Sequence, residues 1–249
     1  MIDLTTAISV VRESVLAILR IRRPIPGATA GGQPSPGQFQ ASIGGSAFCV
    51  VADRFLATAF HVLNAGQPRD ESDRFFAFLV PGNGDLAFHF PVTGFPVERP
   101  DLDLAVLEIG PCATPGIHIP ALPVSFTPRA DGTRIVTVGF PAPEIVRLNV
   151  DPQGNYAGGH FFLKSHANEG IVSAQYAVAG VRRYEFNVGW HHGESGGPVL
   201  ALERPSVAIS LMQHYRNIQS PHGTVPGPHR GCALSGIQEE LGALEVDGR

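Results

Sequence analysis

The chain has 249 residues, of which 43% are hydrophobic and 16% are charged, as in an ordinary globular protein. Eighteen basic residues against 22 acidic residues leave a formal charge of −4 at pH 7. This balance argues against nucleic acid as a main partner, because duplex binding needs a strong basic stripe. The 29 Gly and 22 Pro residues favour many short strands over a helical bundle.

The composition also bears on the compartment. No apolar run reaches the ~18 residues that indicate a membrane span. Near the N-terminus, the apolar stretch is interrupted by Arg12, Glu13 and Arg20, a pattern that does not predict an export signal. The chain has three cysteines, Cys49, Cys112 and Cys232. Their odd number and wide distribution fit buried thiols in a reducing compartment better than a disulfide framework. The sequence therefore predicts a cytoplasmic protein that does not associate with membranes.

In chain order, helical spacing predicts a helix over residues 3–13, capped by Asp3 or Thr5, and then a strand at 15–21. Residues 24–45 are rich in Pro and Gly and predict an exposed loop. Further strands are predicted at 46–52, 55–59, 75–80, 86–92 and 104–109. After a proline-rich connection at 110–129, strands are predicted at 134–139, 160–164, 170–175, 184–188, 198–202, 207–212 and 231–234. A short helix at 237–244 closes the chain.

The predicted strands fall into two groups of about six, separated by the 110–129 connection. Short strands at this spacing predict an all-β fold of two antiparallel six-stranded β-barrels, with short helices at both ends. We place the first domain at residues 1–120 and the second at 121–249.

Three segments carry residues of chemical interest. Residues 192–198 (HGESGGP) place Ser195 between glycines, where the backbone can approach a substrate closely. Residues 56–62 (LATAFHV) end a strand in His61, and residues 101–107 (DLDLAVL) begin a buried strand with Asp101 and Asp103. A serine hydroxyl needs a neighbouring base to become a nucleophile, and an imidazole accepts and returns protons near neutral pH.

These three segments resemble the His, Asp and Ser motifs of the chymotrypsin/trypsin family, and they occur in that family's chain order. The GFP segment at 139–141, the GIVS segment at 170–173 and the leading helix-then-strand resemble the bacterial HtrA-like branch. Too little sequence follows Leu244 for the PDZ domain of that branch. The resemblance, over roughly residues 14–244, implies a chymotrypsin-like double barrel with the catalytic site at the junction. It also implies a protein or peptide substrate and no cofactor.

The resemblance assigns a role to each residue of the three segments. Ser195 is the expected nucleophile, His61 the general base and Asp103 the acid that orients the imidazole. The main-chain N–H groups of Gly193 and Ser195 are expected to form the oxyanion hole. Asp101 competes for the role of the acid, but the family pattern places the carboxylate directly before Leu-Ala-Val-Leu, which favours Asp103.

The resemblance also implies a set of substrate-binding residues: Gly189, Trp190, His192, Leu211, Met212, Gln213 and Gly231. Gly189 stands where a carboxylate would select Arg or Lys at the P1 position, so that preference is not expected. The 211–213 segment is expected to pair with the substrate backbone, Gly231 to form the far wall of the pocket, and Trp190 to pack as core or pocket wall. An apolar P1 residue is preferred, while His191, His192 and His214 leave an acidic P1 residue open.

Two departures from the family pattern stand out. Val62 occupies the position where secreted members carry a cysteine, which supports the reducing compartment. Glu194 replaces the Asp of digestive members and the Asn of HtrA-like members. We expect Glu194 to pair with a nearby Arg or His and to help set the oxyanion loop.

Four other interpretations of the sequence bear on function. Residues 193–197 also fit the G-x-S-x-G elbow of α/β-hydrolases, but that fold needs a Ser–acid–His order that the rest of the chain does not supply. His214, His222, His229 and Cys232 match no tight zinc spacing, so no metal is predicted. The chain could instead be a latent protease-like binding domain, or an effector activated by a partner protein that contacts the loops at 24–45 and 219–230.

Overall fold

The computed structural model describes residues 3–22, 39–64, 66–189, 191–203, 206–220 and 223–247. The chain begins with helix α1 (Leu4–Arg12). The carboxylate of Asp3 accepts hydrogen bonds from the main-chain N–H groups of Thr5 and Thr6, so Asp3 is the cap. Ala7 and Val11 turn the apolar side of the helix toward the core.

Six strands form the first closed barrel: β1 (Val15–Arg22), β2 (Gln40–Val51), β3 (Phe55–Thr58), β4 (Arg74–Leu79), β5 (Phe88–Arg99) and β6 (Leu104–Ile109). All neighbours are antiparallel, in the order β1-β2-β3-β6-β5-β4. β1 and β3 are buried along their whole length, in keeping with their near-continuous apolar sequence. A short helix, α2 (Phe60–Asn64), follows β3 directly.

The remaining strands are β7 (Arg134–Gly139), β8 (Glu144–Val150), β9 (Tyr156–Phe162), β10 (His166–Val178), β11 (Val181–Phe186), β12 (Pro198–Ala201), β13 (Val207–Ser220) and β14 (Gly223–Ala233). Six of them close the second antiparallel barrel in the order β10-β11-β14-β13-β12-β7. Helix α3 (Gln238–Asp247) ends the described chain. The predicted fold of two six-stranded barrels is confirmed.

β8 and β9 form a separate hairpin between the barrels in sequence. Its aromatic side chains pack on the first barrel: Tyr156 meets the ring of Phe78 edge-on at 5.2 Å between centroids, and Phe161 lies 4.9 Å from the same ring. His89 of β5 lies 4.7 Å from Tyr156. Within the described residues, the hairpin pairs with no strand of either barrel, and these ring contacts anchor it to the first barrel.

One cluster of buried residues runs from the first barrel into the second, where it includes Val136, Val138 and Leu211. A smaller cluster around Tyr184 and Phe186 fills the rest of the second barrel. Packing is therefore continuous across the junction of the barrels. Across the described ranges, we find no helix with the length and apolar character needed to cross a membrane.

The structure corrects three expectations about the chain. The predicted loop at 219–230 is the end of a long hairpin, because β13 pairs with β14 as far as Ser220 and Gly223. Residues 40–45 of the other predicted loop already belong to β2, and residues 24–38 lie outside the described ranges. Cys49 and Cys232 are buried thiols as expected, whereas Cys112 is half-buried.

Candidate active site

His61 and Asp103 are in direct contact. His61 lies in α2, one turn beyond β3, rather than at the strand end that the sequence suggested. Its Nδ1 lies 2.8 Å from Oδ2 and 3.1 Å from Oδ1 of Asp103, and its main-chain N–H donates to Oδ1 at 2.9 Å. A carboxylate can only accept, so the proton on the neutral ring is assigned to Nδ1. Nε2 is thereby left with its lone pair for an incoming proton.

The acid occupies an unusual backbone position. Asp103 has a φ of +56°, the left-handed region that residues other than Gly rarely adopt. Asp101, the competing candidate, is exposed and pairs with Arg99 at 2.9 Å. The structure therefore brings Asp103, and not Asp101, to His61.

A buried arginine holds the far end of the helix that carries His61. Nη1 of Arg20 donates to the carbonyl oxygens of Asn64 at 3.0 Å and Gln67 at 2.8 Å, and Nη2 donates to Asp73 at 2.7 Å. Burial works to raise the pKa of Asp73, but hydrogen bonds from Arg22 and Arg20 outweigh it and lower that pKa to about 2. The α2 segment is thus tied to β1 by charged groups that stay ionised.

The Ser195 loop lies against the end of β3, the strand that precedes His61 in the chain. A Cβ at Gly196 would overlap the carbonyl oxygen of Ser46 and the hydroxyl of Thr58, so only Gly fits this approach. The hydroxyl of Ser195 donates to the carbonyl oxygen of Gln213 at 2.9 Å rather than to His61. His61 and Asp103 are therefore paired, whereas the Ser195 hydroxyl is turned toward β13.

The loop around Ser195 leaves two N–H groups open. Internal hydrogen bonds fix the loop: Glu194 donates from its main chain to the His191 carbonyl, and Gly197 donates to the Glu194 carbonyl. Gly193 has a φ of +99°, which its lack of a side chain allows. The N–H groups of Gly193 and Ser195 donate to no acceptor in the described part of the chain. They can therefore bind an oxygen that carries negative charge.

Glu194 pairs with His191, through the main chain of that residue, and with Asn168. Its carboxylate is buried, accepting from the main-chain N–H of His191 at 2.7 Å and from Nδ2 of Asn168 at 3.1 Å. The sequence predicted pairing with a nearby Arg or His, and did not reveal Asn168. Burial raises the pKa of Glu194, although the hydrogen bond from His191 opposes that rise. The carboxylate nevertheless spans the base of the oxyanion loop.

Ser46 is a site residue that the sequence did not reveal. From β2, its hydroxyl donates to the carbonyl oxygen of Gly193 at 2.7 Å and accepts from the N–H of Phe140 at 3.0 Å. Its main-chain N–H donates to the carbonyl oxygen of Ser195 at 2.7 Å. These partners are 94 to 149 residues away in the chain, so no local pattern marks the contact.

The segment at 140–143 forms a wall behind Gly193. A Cβ at Gly193 would overlap the carbonyl oxygen of Phe140 and lie 2.7 Å from Cδ of Pro143. The N–H of Ala142 donates to the carbonyl oxygen of His192 at 2.7 Å. Because β8 begins one residue later, this wall is continuous with the hairpin.

Of the predicted substrate-binding residues that the structure describes, two are exposed and the other four are buried in the second barrel. Gly189 and His192 are exposed beside Ser195, and the nearest atom to a Cβ at Gly189 is Oδ1 of Asn168 at 3.6 Å. Gly231 lies on β14 opposite Met212, with no space for a side chain. Trp190 lies outside the described residues.

Leu211 and Met212 are not free to pair with a substrate as the sequence suggested. Both are buried in the barrel. The Met212 N–H donates to Gly197 and its carbonyl accepts from Gly196, so its main chain is already in use. Gln213 is also buried, with its side chain turned toward the Asp103 turn. Within the described residues, no three His, Cys, Asp or Glu side chains are grouped to hold a metal ion, and His222 lies outside them.

Comparisons with known proteins agree with this fold. The trypsin-like peptidase domain family matches residues 45–209. Among solved structures, the HtrA-type protease AlgW with a decapeptide is similar with a TM-score of 0.64 and 16% identity, over 99% of this chain and 69% of that chain. AlgW with a tripeptide gives a TM-score of 0.61 at 16% identity, over 100% and 65%. A search of curated proteins finds no match.

Proposed function

The chain belongs to the family of trypsin-like peptidase domains, and from that premise we propose that it is a serine endopeptidase acting through Ser195, His61 and Asp103. The observation that carries the proposal is the pairing of His61 with Asp103 beside a serine whose N–H group, with that of Gly193, is open. This arrangement supports a base, an orienting acid, a nucleophile and an oxyanion site that act together.

In the first half of the reaction, the Ser195 hydroxyl rotates from the Gln213 carbonyl toward Nε2 of His61. Nε2 takes the hydroxyl proton as Oγ bonds to the peptide carbonyl carbon. The carbonyl oxygen becomes negative and accepts from the N–H groups of Gly193 and Ser195. His61 then gives its proton to the amide nitrogen, the C–N bond breaks, and the amine leaves an acyl-enzyme.

In the second half, water replaces the amine. Nε2 of His61 removes a proton from the water, whose oxygen attacks the ester carbon through the same oxyanion site. The C–Oγ bond breaks, and the proton returns to Ser195. Asp103 stabilises the imidazolium in both halves.

We propose that the P1 residue is apolar and is not Arg or Lys. Gly189 supplies no carboxylate at the primary pocket, and Glu194 is committed to Asn168 and His191. An acidic P1 residue is less favoured. Desolvation of the His214 ring lowers the pKa of His214, although the charge of Asp103 works to raise it. A lowered pKa favours the neutral ring, which offers no positive charge to an acidic side chain. In a P1 peptide library, we expect cleavage after apolar residues, and cleavage after Arg or Lys would contradict the proposal.

The decisive experiment is labelling of the purified protein with a fluorophosphonate probe. We expect labelling at Ser195 and its loss in Ser195→Ala and His61→Ala, since losing either group of such a triad costs about 10⁶ in rate. Ser173→Ala, an exposed serine on β10, is the matched control and keeps the labelling. An unlabelled wild-type protein would contradict the proposal.

One observation favours a second candidate, a latent or binding-only domain that needs a partner protein. The Ser195 hydroxyl donates its hydrogen bond to the carbonyl oxygen of Gln213 and not to His61. In the active enzyme that we propose, the Ser195 hydroxyl leaves the Gln213 carbonyl by rotation about χ1 and turns toward His61. A wild-type protein that is silent alone, and labelled once a partner is added, would establish the second candidate. For either candidate we propose a reducing, cytoplasmic setting, in which the free thiols persist.

A further inference from the structure

Two internal hydrogen bonds close the turn that carries Asp103: the N–H of Leu102 donates to the carbonyl oxygen of Arg99 at 3.1 Å, and that of Asp103 donates to the carbonyl oxygen of Pro100 at 3.2 Å. The left-handed φ of Asp103 persists only where surrounding groups determine it. Contacts from outside the turn therefore add support to this conformation.

Donors from the second barrel supply that support. Nε2 of Gln213 donates to the carbonyl oxygens of Leu102 at 2.7 Å and Asp103 at 2.9 Å. Nη1 of Arg183 donates to Leu102 at 3.0 Å, and Nη2 donates to Asp101 at 3.4 Å. Three successive carbonyl oxygens of the acid's turn thus accept from β11 and β13.

The two donors are themselves coupled. Nη1 of Arg183 also donates to Oε1 of Gln213 at 3.2 Å, which fixes the orientation of the side-chain amide with Nε2 toward the turn. Gln213 is 1% exposed, so its hydrogen bonds are not shared with water. The carbonyl of the same residue accepts from the Ser195 hydroxyl. Gln213 therefore contacts the acid's turn with its side chain and the nucleophile with its main chain.

We infer that Gln213, oriented by Arg183, is a positioning residue that fixes the backbone of Asp103 and hence the ring and tautomer of His61. This inference rests on the proposed function for its catalytic consequence. Loss of the Gln213 amide lets the turn relax from its left-handed conformation, which displaces the carboxylate from Nδ1. A displacement of about 1 Å in a catalytic group can cost on the order of 10²-fold in rate.

The test compares Gln213→Met, which keeps the volume but removes the donors, with Ser210→Ala. Ser210 is the matched control because it is also buried on β13 and donates to a main-chain carbonyl, that of Cys232 at 2.7 Å. We expect kcat to fall about 10- to 100-fold in Gln213→Met, with KM changed less than about threefold. Arg183→Gln, nearer the surface, is expected to show a smaller loss in the same direction.

A readout that needs no turnover separates this inference from the proposed function. With ¹⁵N-labelled histidine, the ring-nitrogen shifts of His61, assigned with His61→Ala, report its tautomer. We expect protonated Nδ1 in the wild type and in Ser210→Ala, and a mixture of tautomers in Gln213→Met or, if that variant does not fold, in Arg183→Gln. An unchanged tautomer in the folded variant overturns the inference, even if the enzyme is active. If the tautomer shifts in Gln213→Met while the fluorophosphonate fails to label even the wild type, the result supports the inference and contradicts the proposed function.

Discussion

Ser46 connects the first barrel to the oxyanion loop through its hydroxyl as well as its main-chain N–H. In Ser46→Ala, the Gly193 carbonyl and the Phe140 N–H lose their shared partner. Removing an oxyanion donor itself typically costs about 10²–10³ in kcat, so removing the support of the loop should cost less, about 10-fold. Binding of a peptide aldehyde, which forms an oxyanion, should weaken by the same factor.

The matched control for this prediction is Ser42→Ala, which removes an exposed hydroxyl from the same strand. It should leave both kcat and aldehyde affinity at the wild-type values. If Ser46→Ala lowers kcat while the aldehyde binds as before, the hydroxyl does not act on the oxyanion site.

Glu194 predicts a pH dependence of stability whose sign follows from its burial. Burial raises the pKa of Glu194 in the folded state, so the folded state binds its proton more tightly than the unfolded state does. The contribution of Glu194 to the free energy of unfolding is fully present below the ordinary pKa of a glutamate, and it is lost as the pH rises through the raised pKa of the folded state. Glu194→Gln has no charge to bury and keeps an oxygen acceptor for the His191 N–H.

Glu194→Gln should therefore raise the Tm at pH 7 to 8, and the difference from the wild type should shrink as the pH falls toward 4. Each kcal/mol corresponds to about 2–4 °C in a chain of this size. Thermal unfolding across this pH range measures the difference in Tm between the variant and the wild type. Glu239→Gln, on the exposed side of α3, is the control. A lower Tm for Glu194→Gln at neutral pH would mean that the charge-assisted hydrogen bonds outweigh burial.

At the scale of elements, the β8–β9 hairpin connects the first barrel to the oxyanion wall. Tyr156 anchors it among the rings of Phe76, Phe78 and His89, and the 140–143 wall precedes it. Tyr156→Ala should destabilise the protein by about 2–3 kcal/mol, below the ~3–5 kcal/mol of a fully buried aromatic residue. It should also lower kcat, because the wall behind Gly193 loses its anchor.

Urea unfolding and steady-state kinetics on the same preparations measure the two effects of Tyr156→Ala. Val146→Ala is the control, since that side chain is on the same hairpin but 54% exposed. It should change neither quantity. A Tyr156→Ala protein that is less stable but retains the wild-type kcat would show that the hairpin does not support the site.

The hairpin also shows where sequence reasoning stops. Strands of the barrels are visible because their apolar residues are consecutive, as in β1 and β6. β8 is mostly exposed and follows Pro141 and Pro143, so it was not predicted. β9 contains two adjacent glycines, and only its end, from residue 160, was predicted as a strand. The partners of the site were hidden for a different reason. Ser46, Asn168 and Gln213 act through side-chain contacts that exist only once the barrels are closed and joined.

For the whole molecule, the continuous core predicts that the two barrels unfold together. Cys49 on β2 and Cys232 on β14 belong to the same buried cluster although they lie in different barrels. Burial raises the pKa of Cys49 to about 12 and that of Cys232 to about 11, so neither supplies the reactive thiolate in the folded protein. Each thiol therefore reports the opening of its own barrel.

Pulsed alkylation at increasing urea, followed by peptide mapping, measures the two thiols separately in one sample. We expect Cys49 and Cys232 to become reactive at the same urea midpoint, because separating the barrels exposes the core that both share. Cys112 is half-buried and should react before that midpoint, which makes it the internal control for the reagent. Two distinct midpoints would show that each barrel is an independent folding unit. The site, which takes residues from both barrels, would then be lost when the weaker barrel opens.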